Sequence, residues 1–374
     1  MKNKIITLAL ITTLFITGCG TIRDKDIRNS FIKDMEGLKS YYMEGNMKIT
    51  NNDDTYNYNI EVSYKKDGNY KVLLTNKAND YKQIILKNNE GVYVITPSLN
   101  KSFKFQSDWP NNNSQSYLLD SVAKDLKNDE DYKFTQKDNN YIFTTKTNYP
   151  NNPKYTKQNI IIDKNRNLKK VEVQDEQGIS YIEFIVKTLD KKAKFNKSQF
   201  DLEEITKEFD MSSENEDKDT NNQNSKVNEN DEEEKETTDQ NNDIEENNQN
   251  SEESEQETSK IDENVFPLYL PANTSLSDKE VISTENGERV IMTFSGDNPF
   301  ILVQETIKPS SSLEIIPTYG EPFMLVDTVG SLTDTSYTWT SNGVEYYIVS
   351  DQMQKSELLE VAKSINVVST INQK

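Results

Sequence analysis

Histidine is absent from this chain of 374 residues, and cysteine occurs once. The first absence excludes Ser/His/Asp and Cys/His nucleophiles and takes away the commonest ligand of zinc sites. The second leaves neither a disulfide framework nor a cysteine cluster for metal. Carboxylate pairs remain available for acid–base chemistry, but no motif sets two of the 63 acidic residues together. The chain therefore reads as a protein that is not an enzyme, with no catalytic residue, no metal and no cofactor. Basic charge is in short supply as well. The net charge of −20 is of the wrong sign for nucleic acid. Nor does the apolar run at residues 5–16 reach the ~20 residues that a membrane-spanning helix needs.

That short run has the length of a signal-peptide core, preceded by Lys2 and Lys4. It ends in Ile16-Thr17-Gly18-Cys19, a branched residue and two small ones before the cysteine, as in a lipobox. Residues 1–18 are accordingly expected to be a signal peptide and Cys19 the site of lipidation. Two acyl chains on one residue suffice for stable anchoring, where one alone is marginal. The abundance of Lys, Asn and Ile points to a low-GC Gram-positive source, with the protein lipid-anchored at the outer face of the cytoplasmic membrane.

Residues 19–209 read as a first domain. The apolar residues Ile27, Phe31, Ile32, Met35 and Leu38 recur at helical spacing and predict a helix over 24–39. The period then becomes two: Tyr56, Tyr58, Ile60, Val62 and Tyr64 alternate with polar residues, as in a strand with one buried face. Asp67-Gly68 supplies a hairpin turn before a strand at 70–74. Further strands are predicted at 81–86, 92–96, 101–105, 132–136, 141–146, 158–163, 168–174 and 179–187, with a helix over 114–126. The fold class is α+β, a meandering antiparallel sheet with two or three helices.

Between Asp210 and Lys260 stand 19 acidic and 4 basic residues, so this stretch carries −15 and leaves −5 for the remainder. Residues 210–262 are low in apolar side chains and are expected to be a disordered acidic linker. Residues 263–374 read as a smaller α+β domain. Strands are predicted at 279–284, 289–295, 300–307, 337–340 and 344–350, with turns at Asn286-Gly287 and Asn342-Gly343 and a closing helix over 355–365.

Two runs in the first domain carry a resemblance. Asn89-Glu90-Gly91-Val92-Tyr93-Val94-Ile95-Thr96-Pro97 is similar to a hairpin of LolA/RseB-like lipoprotein domains. The segment from Asn100 to Leu119, with Phe103, Phe105, Trp109 and Pro110, resembles GerS-like germination lipoproteins of clostridia and bacilli. The second domain, with Asn298-Pro299-Phe300, Trp339 and Glu357-Leu358-Leu359, resembles a domain of the longer, YdcC-like sporulation lipoproteins. The resemblance implies a half-open antiparallel β-barrel covered by helices. It implies a noncatalytic lipoprotein of the sporulation and germination envelope, anchored on the cytoplasmic or forespore membrane. There it would scaffold or activate a cell-wall (cortex) amidase, a CwlD-like N-acetylmuramoyl-L-alanine amidase. Two other roles belong to the same group: a carrier of lipid or lipoprotein acyl chains, and an RseB-like envelope-stress sensor. A homodimer is a further possibility. Phe103, Phe105 and Trp109 are the candidate partner-binding residues, set against a plainer reading as core and rim aromatics. Tyr41, Tyr42, Tyr56, Tyr58 and Tyr64 are candidates to line an acyl cavity, against a plain sheet core.

Overall fold

Four apolar residues at helical spacing, Ile27, Phe31, Ile32 and Met35, are buried along one side of α1 (Asp24–Glu36). In this computed structural model residues 23–52, 54–216, 261 and 265–371 are described. The expected signal peptide, Cys19 and residues 217–260 and 262 of the expected linker lie outside them. Strand β1 (Ser40–Asn51) pairs in an antiparallel ladder with β2 (Asp54–Lys65). The alternation in β2 was legible, whereas β1 was not expected. Its alternate buried positions are Tyr41, Met43, Gly45, Met47 and Ile49, and the glycine interrupts the apolar pattern. Gly45 is there for space. A Cβ on it would stand 2.5 Å from the Phe184 ring and 2.6 Å from the Ile185 carbonyl oxygen.

The chain continues through β3 (Asn69–Asn76), β4 (Lys82–Asn88), β5 (Gly91–Thr96) and β6 (Lys101–Phe105). Asp67 and Gly68 both take positive φ in the turn before β3, as a tight hairpin turn requires. Helix α2 (Leu119–Asn128) buries Leu119, Val122, Ala123 and Leu126; it begins five residues later than expected because residues 114–118 form turns and extended chain. Then follow β7 (Lys133–Lys137), β8 (Asn140–Lys146), β9 (Lys157–Asp163), β10 (Leu168–Gln174) and β11 (Ser180–Asp190). Pairing of β1 with β11 joins the two meanders into one sheet, ordered 6-5-4-3-2-1-11-10-9-8-7. The sheet does not close on itself. Helices α1 and α2 pack against each other, Arg28 reaching the Leu126 carbonyl oxygen at 2.8 Å, and both bury their apolar sides in the core on the sheet's inner face. The arrangement is the expected α+β, half-open sheet over helices.

A second, smaller core lies on the opposite face of β4 and β5. Ile84, Leu86, Tyr93 and Ile95 are covered there by Phe200, Leu202 and Ile205. The last two belong to α3 (Leu202–Glu216), which runs past the expected start of the linker at residue 210.

The second sheet is ordered 12-13-14-19-18-17-16. Its strands are β12 (Thr274–Thr284), β13 (Gly287–Gly296), β14 (Phe300–Thr306), β16 (Glu321–Met324), β17 (Val329–Leu332), β18 (Ser336–Ser341) and β19 (Val344–Val349), preceded in part by β15 (Glu314–Thr318). Helix α4 (Lys355–Ile371) packs on its inner face, with Leu358, Leu359, Ala362 and Ile365 buried. The Asn342-Gly343 turn is as expected, both residues at positive φ. The other hairpin is shifted by one: Thr284 faces Gly287, so the turn residues are Glu285 and Asn286. Strands β15, β16 and β17 were not expected, being short and without alternation.

Strand β15 belongs to the first sheet. It leaves the second domain and pairs in parallel with β6, Ile316 opposite Phe103 and Thr318 opposite Phe105. One core contains residues from 27 to 186 together with residues from 261 to 365. The two sheets are thus packed against each other through one shared core.

Candidate functional site

Alternation along β6 turns Phe103 and Phe105 to the inner face of the first sheet, with Ser102 and Lys104 on the other. Val94 on β5 and Ile316 on β15 stand opposite Phe103 on its two sides. Facing them across a cavity of about 190 Å³ are Thr338, Thr340 and Glu345 of the second sheet. Two of the three candidate aromatics therefore share one site. The chain's own second domain closes it.

Trp109 lies elsewhere. Its side chain is 1% exposed and meets the Tyr70 ring edge-on at 5.8 Å, while its carbonyl oxygen accepts a bond of 2.6 Å from Lys87 Nζ. A side chain so enclosed cannot be a docking residue on the surface, which corrects that expectation; its size and apolar character suit the core equally well. The tyrosines divide in the same way. Tyr41, Tyr56 and Tyr58 are buried in the core and Tyr64 packs against it. Tyr42 points to the other face, its hydroxyl lying 2.6 Å from Glu44 Oε1 and 2.9 Å from Glu61 Oε2, with one proton to donate between them.

The inner face of the first sheet is occupied by the loop between β16 and β17. Tyr58 donates its hydroxyl to the Val326 carbonyl at 2.7 Å, and Gln83 bonds both backbone groups of Val329. Asn112 and Asn151 both donate to Glu321, the latter at 3.1 Å. Lys154 pairs with Glu360 of α4 at 3.8 Å. A second space of about 70 Å³ remains between Trp109, Tyr117, Tyr149 and Tyr155 on one side and Phe323 and Met324 on the other. Both volumes fall below the roughly 300–1,000 Å³ of ligand pockets for larger molecules.

Electrostatics at the seam are set by burial. Asp327 is half-buried, and burial pushes its carboxyl up to about 6, against a bond from Ser341 Oγ at 3.1 Å. Asp125, on α2, is likewise raised by burial to about 6, although Gln158 donates to it at 2.8 Å. At the larger cavity burial raises Glu345; Lys101 opposes the shift, and the neighbouring Glu305 and Glu314 add to it. None of these carboxylates was legible as a site in the sequence, because the burial of each depends on elements that are far apart along the chain. No helix among the described residues is long and apolar enough to cross a membrane.

No family model matches the chain. Over 365 residues, 97% of this chain and 97% of the other, it is 34% identical to the sporulation protein YdcC of Bacillus subtilis strain 168. Among solved structures, the MucA/MucB complex of Pseudomonas aeruginosa is similar at 11% identity and a TM-score of 0.30, over 90% of this chain and 96% of that one. The LolA superfamily protein NE2245 of Nitrosomonas europaea is similar at 12% and 0.28, over 48% and 97%. The complex of the CwlD amidase of Clostridioides difficile with the GerS lipoprotein is similar at 18% and 0.17, over 46% and 95%. Overlap this low carries no argument about function.

Proposed function

The chain belongs to the family of the sporulation protein YdcC, and from that premise we propose that it is a noncatalytic, lipid-anchored envelope protein that holds a cell-wall enzyme at the membrane of the sporulating cell. The observation that carries this reading is the filled inner face of the first sheet. A carrier of acyl chains needs that face open. Here Val326, Thr328 and Val329 of the second domain are seated on it, bonded to Tyr58 and Gln83. Binding by an outer surface is what such a body offers, so it suits a scaffold better than a carrier. The resemblance of residues 100–119 to GerS-like lipoproteins supports a cortex amidase as the enzyme held. Cys19 supplies the anchor in this reading.

Two measurements test it. Wild-type protein takes up a radiolabelled fatty acid and partitions into detergent, and Cys19→Ala does neither; equal labelling of the variant would remove the anchor. Co-purification of the detergent-solubilised protein from sporulating cells recovers a peptidoglycan amidase. Stoichiometric lipid without an amidase would favour the carrier, and an anti-sigma factor the sensor.

A further inference from the structure

The cavity between the sheets has apolar walls on one side and a carboxylate on the other. Val94, Phe103, Phe105 and Ile316 form the first side, and Glu345 lies on the second, half-buried. Among the described residues the Glu345 carboxylate makes neither a hydrogen bond nor an ion pair. Lys101 is near enough to be felt but does not pair with it. Two like charges, Glu305 and Glu314, also act on this carboxylate. Glu305 is already held by Arg289 and Glu314 by Ser310, so each has a partner that Glu345 lacks. The half-buried carboxylate keeps a path to water, and a cation entering the cavity would give it the partner it lacks. The neighbouring aromatic rings favour a cation as well.

We propose that this cavity binds a small organic monocation with an apolar body, an aryl- or alkylammonium whose nitrogen pairs with Glu345 and whose body lies against Phe103, Phe105 and Ile316. Its size sets the limit. A cavity of about 150 Å³ lined by apolar side chains takes benzene, so about 190 Å³ holds a single ring or short chain with one ammonium group. The site is independent of the amidase reading: it lies between the chain's own domains and involves no outer surface.

Benzylammonium chloride is the probe, titrated by isothermal calorimetry into the full-length protein in a nonionic detergent at pH 8. Benzyl alcohol, of the same shape without the charge, is the comparison. The expected result is saturable one-to-one binding of the ammonium, at least tenfold tighter than the alcohol. Glu345→Gln brings the two to the same affinity, and Thr338→Phe, which narrows the cavity from the opposite wall, abolishes both. Equal binding of ammonium and alcohol by the wild type overturns the proposal. So does unchanged ammonium affinity in Glu345→Gln, or the absence of saturable binding. Thermal melts identify a variant that fails to fold, in which case the other variant decides.

Discussion

Gln83 and Val329 form a two-point amide pair across the seam of the molecule: the Val329 N–H donates to Gln83 Oε1 at 2.6 Å, and Gln83 Nε2 donates to the Val329 carbonyl at 3.1 Å. Gln83 lies on β4 of the first sheet and Val329 opens β17 of the second. The side chain takes the place that a neighbouring strand would have. It satisfies both backbone groups of a residue buried at 4% exposure, and Thr328 Oγ1 adds a bond to the same amide oxygen.

Gln83→Ala is expected to destabilise the protein by about 2–4 kcal/mol, because a buried N–H and a buried carbonyl each lose their partner at roughly 1–3 kcal/mol apiece. Urea unfolding followed by circular dichroism measures it. A loss below half a kcal/mol would show that the seam does not depend on this pair.

Trp109→Ala acts on stability. Removing a fully buried tryptophan costs about 3–5 kcal/mol, so the variant is expected to melt well below the wild type. A variant that melts normally but fails to recover the amidase would return Trp109 to the docking role that its burial argues against.

The raised carboxyl of Asp327 gives a pH dependence of definite sign. Its folded value of about 6 exceeds the ordinary 3.8, so between those pH values the folded state holds the proton more tightly. This group's contribution is therefore fully present below about pH 4 and is lost as the pH rises through 6, by about 3 kcal/mol at most. Asp327→Asn is expected to stabilise the protein at pH 7 relative to pH 4, flattening that part of the profile. Unfolding midpoints at a series of pH values decide; parallel profiles for variant and wild type would place the titration elsewhere.

Limited proteolysis tests how the domains are held. The composition of residues 217–260 predicts the first cuts there. The two fragments are expected to co-elute on size exclusion after cutting, because β15 remains paired with β6 and the core is shared. Fragments that separate without denaturant would mean that the linker, and not the seam, keeps the domains together.

The alternation of β2, β9 and β10 and the stripes of α1 and α4 are properties of neighbouring residues, so they stand in the sequence as periods of two and of about three and a half. The same local chemistry made an antiparallel α+β fold readable. That Phe103, Phe105 and Trp109 are core and rim aromatics was the plainer of the two readings, and the burial of Phe105 and Trp109 agrees with it; which elements cover them was not readable. A packed sheet face and an open one need the same residues, and what covers β6 is a strand 213 positions further along, measured from Lys101 to Glu314. Strand β15, with only five residues and a proline, carries no periodic signal of its own; its place is decided by the edge that β6 leaves unpaired. Glu345 is an ordinary strand residue until the second sheet swings it against that edge. Tertiary packing alone could turn a predicted docking surface into an internal cavity, because burial depends on partners that are distant in the chain.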